Sequence, residues 1–158
     1  MDDDQIGFDI EFDERTEAFL DWVAPERMES EVQAFLARVA PDLSDDSQWW
    51  KPPLSTQIME TSAQLFSDWA GFLAPENREL ADGLIRFLGE CCIRRRAGMT
   101  WTNSPGSGAP LYTDFGPAAH FADSGLGCEL MPLASELFEE HFGPKGVEYS
   151  IRMAGKPA

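Results

Sequence analysis

Residues 75–121 constrain this chain more than any other stretch. They open PENRELADGLIRFLGECCIRRRAG and run straight into MTWTN and, after a loop, PLYTDFGPAAHF. Leu80, Leu84, Phe87, Leu88 and Cys91 recur at i, i+4, i+7, i+8 and i+11, the spacing of one apolar helix face. Pro75 suits the first helical position, and Gly98 suits the left-handed residue just past the end. Glu76 and Glu79 in the first turn and Arg94, Arg95 and Arg96 in the last both complement the helix dipole. Asp82 and Arg86 are spaced to pair at i, i+4. Gly89 costs a helix interior about 1 kcal/mol relative to Ala, so close packing against another element is expected there. Strands are expected at 100–102, 111–115 and 118–121, with NSPGSGAP as the loop between the first two.

Upstream, residues 5–12 alternate Ile6, Phe8, Ile10 and Phe12 with Gly7, Asp9 and Glu11, a strand pattern with one acidic face. Such a segment serves as a structural strand or arm, or adds to a partner's sheet. Residues 14–23 read as a short helix with Phe19, Leu20, Trp22 and Val23 on one face. Pro25 opens a second helix whose stripe is Met28, Val32, Phe35, Leu36 and Val39. Residues 41–53, PDLSDDSQWWKPP, read as a loop. A third helix is expected from Ser55, as N-cap, to Leu73, with Ile58, Ser62, Leu65, Trp69 and Phe72 inward. Further on, residues 129–142 read as a helix with Leu130, Leu133, Leu137 and Phe138 inward, ended by Gly143-Pro144. Val147, Tyr149 and Ile151 alternate as a last strand, followed by a frayed tail. The expected fold is α+β: a helix-rich N-terminal half, then a small, mainly antiparallel sheet with a C-terminal amphipathic helix. At 158 residues it is expected to be one domain, 1–158, flexible at 1–4 and 154–158.

Charge bears on function. The formal net charge is −16, and residues 1–50 carry 15 acids against 3 bases, a net of −12. That argues against nucleic acid or an anionic membrane as partner and fits steering toward a basic protein, or a solvated acidic surface. The MDDDQ start is unlike a basic signal peptide, no apolar run approaches a membrane span, and the three cysteines show no framework spacing; a cytoplasmic location is expected. Within the acidic third, Glu26 and Glu29 lie on helical outer faces, and Asp42, Asp45 and Asp46 flank Trp49 and Trp50 in the loop. An aromatic beside acids makes a binding anchor; the plainer alternative is that both tryptophans lie down on the domain and seal its edge.

Catalytic and cofactor patterns are weak. The glycines form neither GxxxxGK[ST] nor GxGxxG, and no GxSxG surrounds a serine. Cysteine and histidine lack zinc-ligand spacing, so no metal and no cofactor is expected. Cys91 and Cys128 suit small core positions. His141 is expected on the last turn of a helix, where a cation is favoured. His120, with a nearby acid or Cys128, is the one candidate for chemistry.

The run RFLGECCIRRRAGMTW carries a resemblance. Leu88-Gly89-Glu90, the basic turn 94–96, Gly98, Trp101, then residues 112–121 and 130–142 resemble small uncharacterised bacterial α+β domains, over about the C-terminal half. Those domains lack assigned catalytic residues, so the resemblance implies none here. In overall type the chain also resembles acidic immunity proteins of bacterial toxin systems. The function expected is an acidic binding protein that inhibits a basic toxin or effector by occluding its active site. A secretion chaperone for an effector and a small enzyme using His120 are the alternatives.

Overall fold

A computed structural model describes residues 14–155 of the chain. The strand expected at 5–12 lies outside the described residues. Residues 14–23 form helix α1, and α2 spans Pro25–Val39 with Pro25 in its first turn. α3 (Leu54–Phe66) and α4 (Trp69–Leu73) follow, then a 3-10 turn, Pro75–Asn77. α5 (Arg78–Arg95) leads into β1 (Met99–Asn103), β2 (Pro117–Phe121) and β3 (Gly127–Glu129). α6 (Leu130–Glu136) and α7 (Gly143–Met153) complete the fold. The three strands form one antiparallel sheet in the order β1-β2-β3, with Trp101 opposite Ala119 and Ala119 opposite Cys128. The α+β class, helices first, is what the sequence pattern implied.

α5 is the axis of the molecule. It packs against α2, α4, α6, β1 and β2. Besides the expected stripe, Ala81, Gly83, Ile85, Arg86, Gly89 and Cys92 are buried, so the helix is covered on nearly every side. Gly89 faces the indole of Trp101, and a Cβ there would overlap the ring. Gly98 has φ +89°, the left-handed terminus expected of it. The helical stripe of α2 is buried as its spacing implied.

Three aromatic groups tie the elements together. Phe19, Trp22, Trp101, Tyr112 and Phe115 join α1, β1 and the segment before β2. Phe35, Trp49 and Phe87 join α2, the following loop and α5. Phe66, Trp69, Phe72 and Phe138 join α3, α4 and the chain after α6. Each ring buries a large apolar area in edge-on or offset geometry, which adds to simple burial.

Several elements differ from the sequence reading. The expected third helix is two helices. Ser67 adopts φ +72°, and Asp68 starts α4 by accepting a hydrogen bond from the Gly71 amide at 2.8 Å. That competing N-cap ends α3, so Leu65, expected inward, is exposed. Ser55 is not the cap; Pro53 holds that place, and the Ser55 hydroxyl is buried against Glu148. In α1, Leu20 points outward while Phe19 and Trp22 are buried.

Residues 111–115 are not a strand. Leu111, Tyr112 and Phe115 bury as an irregular segment, and the third strand is Gly127–Glu129. The helix expected over 129–142 stops at Glu136, and 137–142 run as turns. Gly143-Pro144 begins α7 rather than ending a helix, because proline suits a first turn, where no amide partner is needed. The expected last strand is therefore helix: Val147 and Ile151 are buried one turn apart, and Tyr149 faces outward. His141 consequently sits exposed in the turn ahead of α7, at that helix's positive end rather than on a favourable C-terminal turn. Ala154 is buried behind α7.

Candidate functional site

The acids singled out in the sequence are presented to solvent by rigid supports. α2 buries Met28, Val32, Phe35, Leu36 and Val39 against the core, which turns Glu26 and Glu29 outward. The loop after it exposes Asp42, Asp45 and Asp46. Glu29 alone of these five has a cation partner among the described residues, Arg94 Nη2 at 3.0 Å. The other four have no cation within ion-pair distance among the described residues.

Trp49 and Trp50 take different roles. Trp49 is buried against Phe87, while Trp50 is half-buried and meets Trp49 edge-on at 5.5 Å between ring centres. The Arg94 guanidinium lies over both rings, 4.7 and 5.2 Å from their centres, and also bonds Glu90. One arginine therefore ties Glu29 on α2 to the tryptophan pair. Asp45 and Trp49 line the same small concavity, about 220 Å³, with Leu36, Ala40 and Leu43. Trp49 is therefore linked to Glu29 through Arg94 and to Asp45 through this concavity, and Trp50 to Glu29 through the same arginine. Glu26, Asp42 and Asp46 are exposed.

A larger cleft, about 660 Å³, opens between α1, α2, the start of α5 and residues 111–115. Asp82 lies on its wall. Its Oδ1 accepts from Trp22 Nε1 at 2.9 Å and from the Tyr112 hydroxyl at 2.5 Å, and its Oδ2 accepts from Arg86 Nε at 2.8 Å. Arg86 is fully buried, donates to the Trp22 carbonyl and packs its guanidinium 4.2 Å from the Trp22 ring centre. The expected Asp82–Arg86 pair is present, but as the hub of a buried network joining α1, α5 and the 111–115 segment. Burial pushes the Tyr112 phenol well above its usual range, and the Asp82 charge adds to this, so it remains a donor. With three donors on it, Asp82 positions structure; a free general base would keep an oxygen for substrate.

His120 lies on β2 with Nδ1 3.0 Å from Thr102 Oγ1. β2 lines neither the 660 Å³ cleft nor the second large concavity, which lies beside α7. The cysteines are free: Cys91 and Cys92 are buried and Cys128 is partly exposed. The Cys128 thiol, together with burial, holds the Cys92 thiol up, and the Cys92 thiol draws that of Cys128 below its usual value against the opposing effect of burial. Among the described residues, no three His, Cys, Asp or Glu side chains group to hold a metal ion. No described helix is long and apolar enough to cross a membrane.

The concavity beside α7 was missed in the sequence. It is lined by Arg95, Arg96, Lys145 and Arg152 with Glu148 and Tyr149. Lys145, Tyr149 and Arg152 are i, i+4 and i+7, one face of a helix, and that face disappears when 147–151 are read as a strand.

No family model, curated protein or solved structure matches this chain.

Proposed function

We propose that this chain is an acidic binding protein that inhibits a basic cognate protein, in the manner of an immunity protein that neutralises a bacterial toxin or effector by occluding its active site. The observation that carries this is the set of exposed carboxylates of Glu26, Asp42, Asp45 and Asp46, which have no cation partner among the described residues, on α2 and the loop that carries the half-buried Trp50. Fixed like charges without internal partners repel one another, and a cationic surface relieves that repulsion. They also accelerate encounter with such a surface, by up to orders of magnitude at low salt. Trp50 supplies flat apolar area, with Glu29 tied to its ring through Arg94. The partner's basic cleft meets α2 and residues 42–50, and the protein blocks it without chemistry of its own.

The test is capture of partners by the tagged full chain from the cells that make it, at low and high salt. A single stoichiometric basic protein, retained at low salt, weakened at high salt and lost from an Asp45→Asn/Asp46→Asn variant, supports the reading. Retention that ignores both salt and the substitutions contradicts it.

A further inference from the structure

We propose that the concavity beside α7 is a phosphate-binding site for a small phosphate monoester with a planar body. Of the 12 basic residues in this strongly acidic chain, four, Arg95, Arg96, Lys145 and Arg152, line this one space of about 640 Å³. Among the described residues, only one carboxylate, Glu148, lines it with them. Cations gathered on one wall repel one another locally, and a bound anion relieves that repulsion.

Glu148 offsets one of these charges, that of Arg95, and leaves the other three. Its Oε1 accepts from the Ser55 hydroxyl at 2.5 Å and the Thr56 hydroxyl at 3.1 Å, and its Oε2 accepts from Arg95 Nη1 at 2.6 Å. It is committed to holding α3, α5 and α7 together. Arg95 keeps a buried Nη2 with no acceptor. Arg96 spends Nη1 on the carbonyls of Ile151 and Arg152, which leaves its other nitrogens unspent on carboxylates. Lys145 and Arg152 are exposed and have no carboxylate within ion-pair distance among the described residues. Thr56, in the first turn of α3, brings the positive end of that helix's dipole to the same wall.

The charge of the wall selects the ligand class. Four cations against one committed carboxylate leave an excess that a monocarboxylate half-fills and a phosphate monoester dianion fits better. Guanidinium forks and an ammonium are the side chains that hold phosphate oxygens. The space exceeds what a bare phosphate needs. The exposed Tyr149 ring and the Pro52 ring line it as flat surfaces against which a planar body such as a nucleobase stacks. Arg152, over the Tyr149 ring at 5.3 Å from its centre, connects the phosphate end to the stacking end.

The experiment is calorimetric titration of the full chain, at low ionic strength, with AMP, inorganic phosphate and acetate as probes. The expected result is saturable one-to-one binding of AMP, tighter than phosphate and far tighter than acetate. Lys145→Gln/Arg152→Gln, two exposed positions whose change leaves the melting temperature in place, weakens AMP at least about tenfold, as loss of two charge-assisted contacts requires. Tyr149→Ala reduces AMP to the level of phosphate. Absence of saturable AMP or phosphate binding, acetate binding as tight as AMP, or an unchanged double variant overturns the site. Phosphate binding as tight as AMP overturns the planar body.

Discussion

The indole of Trp101 lies directly against the α-carbon of Gly89, where any β-carbon would occupy the ring's place. The ring is fixed from two further sides: its Nε1 donates to Glu90 Oε2 at 2.8 Å, and Trp22 meets it edge-on at 5.1 Å. This contact couples α5, β1 and α1, and it explains why a helix tolerates glycine at its centre.

Gly89→Ala separates the two opposing effects. Helix propensity favours alanine by about 1 kcal/mol. Overpacking a fixed ring costs about 1–3 kcal/mol or more. A Cβ overlapping the ring puts the cost at the top of that range, so the clash wins and chemical denaturation is expected to show a net loss of about 2 kcal/mol. A stabilised variant would mean that Trp101 does not sit there.

The Asp82 network makes a ranked prediction. Asp82→Asn leaves the fully buried Arg86 charge without its counter-ion, which costs about 3–5 kcal/mol. Arg86→Met removes the charge itself, and Asp82 keeps its bonds from Trp22 and Tyr112 and some contact with water. The arginine variant is therefore the more stable of the two by urea unfolding. The reverse order would show that the carboxylate, not the guanidinium, is the group that cannot stand alone.

Tyr112 gives the pH dependence. Its folded-state pKa is raised, first by burial and then by Asp82. The unfolded phenol titrates near about 10, so its contribution is complete below that pH and is lost as pH rises toward the higher folded value. Stability of the wild type should fall above pH about 10 more steeply than that of Tyr112→Phe. At neutral pH the variant should be the weaker one by about 1.5–3 kcal/mol, the worth of a hydrogen bond to a carboxylate.

The paired tryptophans should divide between fold and function. Trp49 is core, and Trp49→Ala is expected to cost about 3–5 kcal/mol of stability. Trp50→Ala should cost no more than about 2 kcal/mol in folding. In partner binding the Trp50 variant should lose about 2 kcal/mol, the threshold of an interface anchor. Equal stability losses would place Trp50 in the core and remove it from the binding face.

Much of this architecture was legible from periodicity, and the failures have local causes. α2 and α5 were readable because each puts long apolar residues on a 3.6-residue repeat with start and stop residues at the ends. α7 was not, because Val147, Tyr149 and Ile151 also satisfy a two-residue repeat; Pro144 as a helix start and the Val147–Ile151 spacing decide it only once Tyr149 is known to face water. The α3–α4 break hid behind an unbroken apolar stripe, since Asp68 as a cap depends on Ser67 accepting a left-handed backbone. The acids around the candidate site were visible in composition. Their lack of partners was not, since pairing depends on which helices meet: Glu29 finds Arg94 65 positions away. The cationic concavity was invisible for the same reason, its walls coming from α3, α5 and α7.

The most direct measurement of the central claim is stopped-flow association of the captured partner with wild type and with Asp45→Asn/Asp46→Asn, across a range of salt. The account predicts that the variant associates several-fold more slowly at low salt, with a shallower salt dependence and a dissociation rate close to wild type. Identical association rates and identical salt slopes would contradict it.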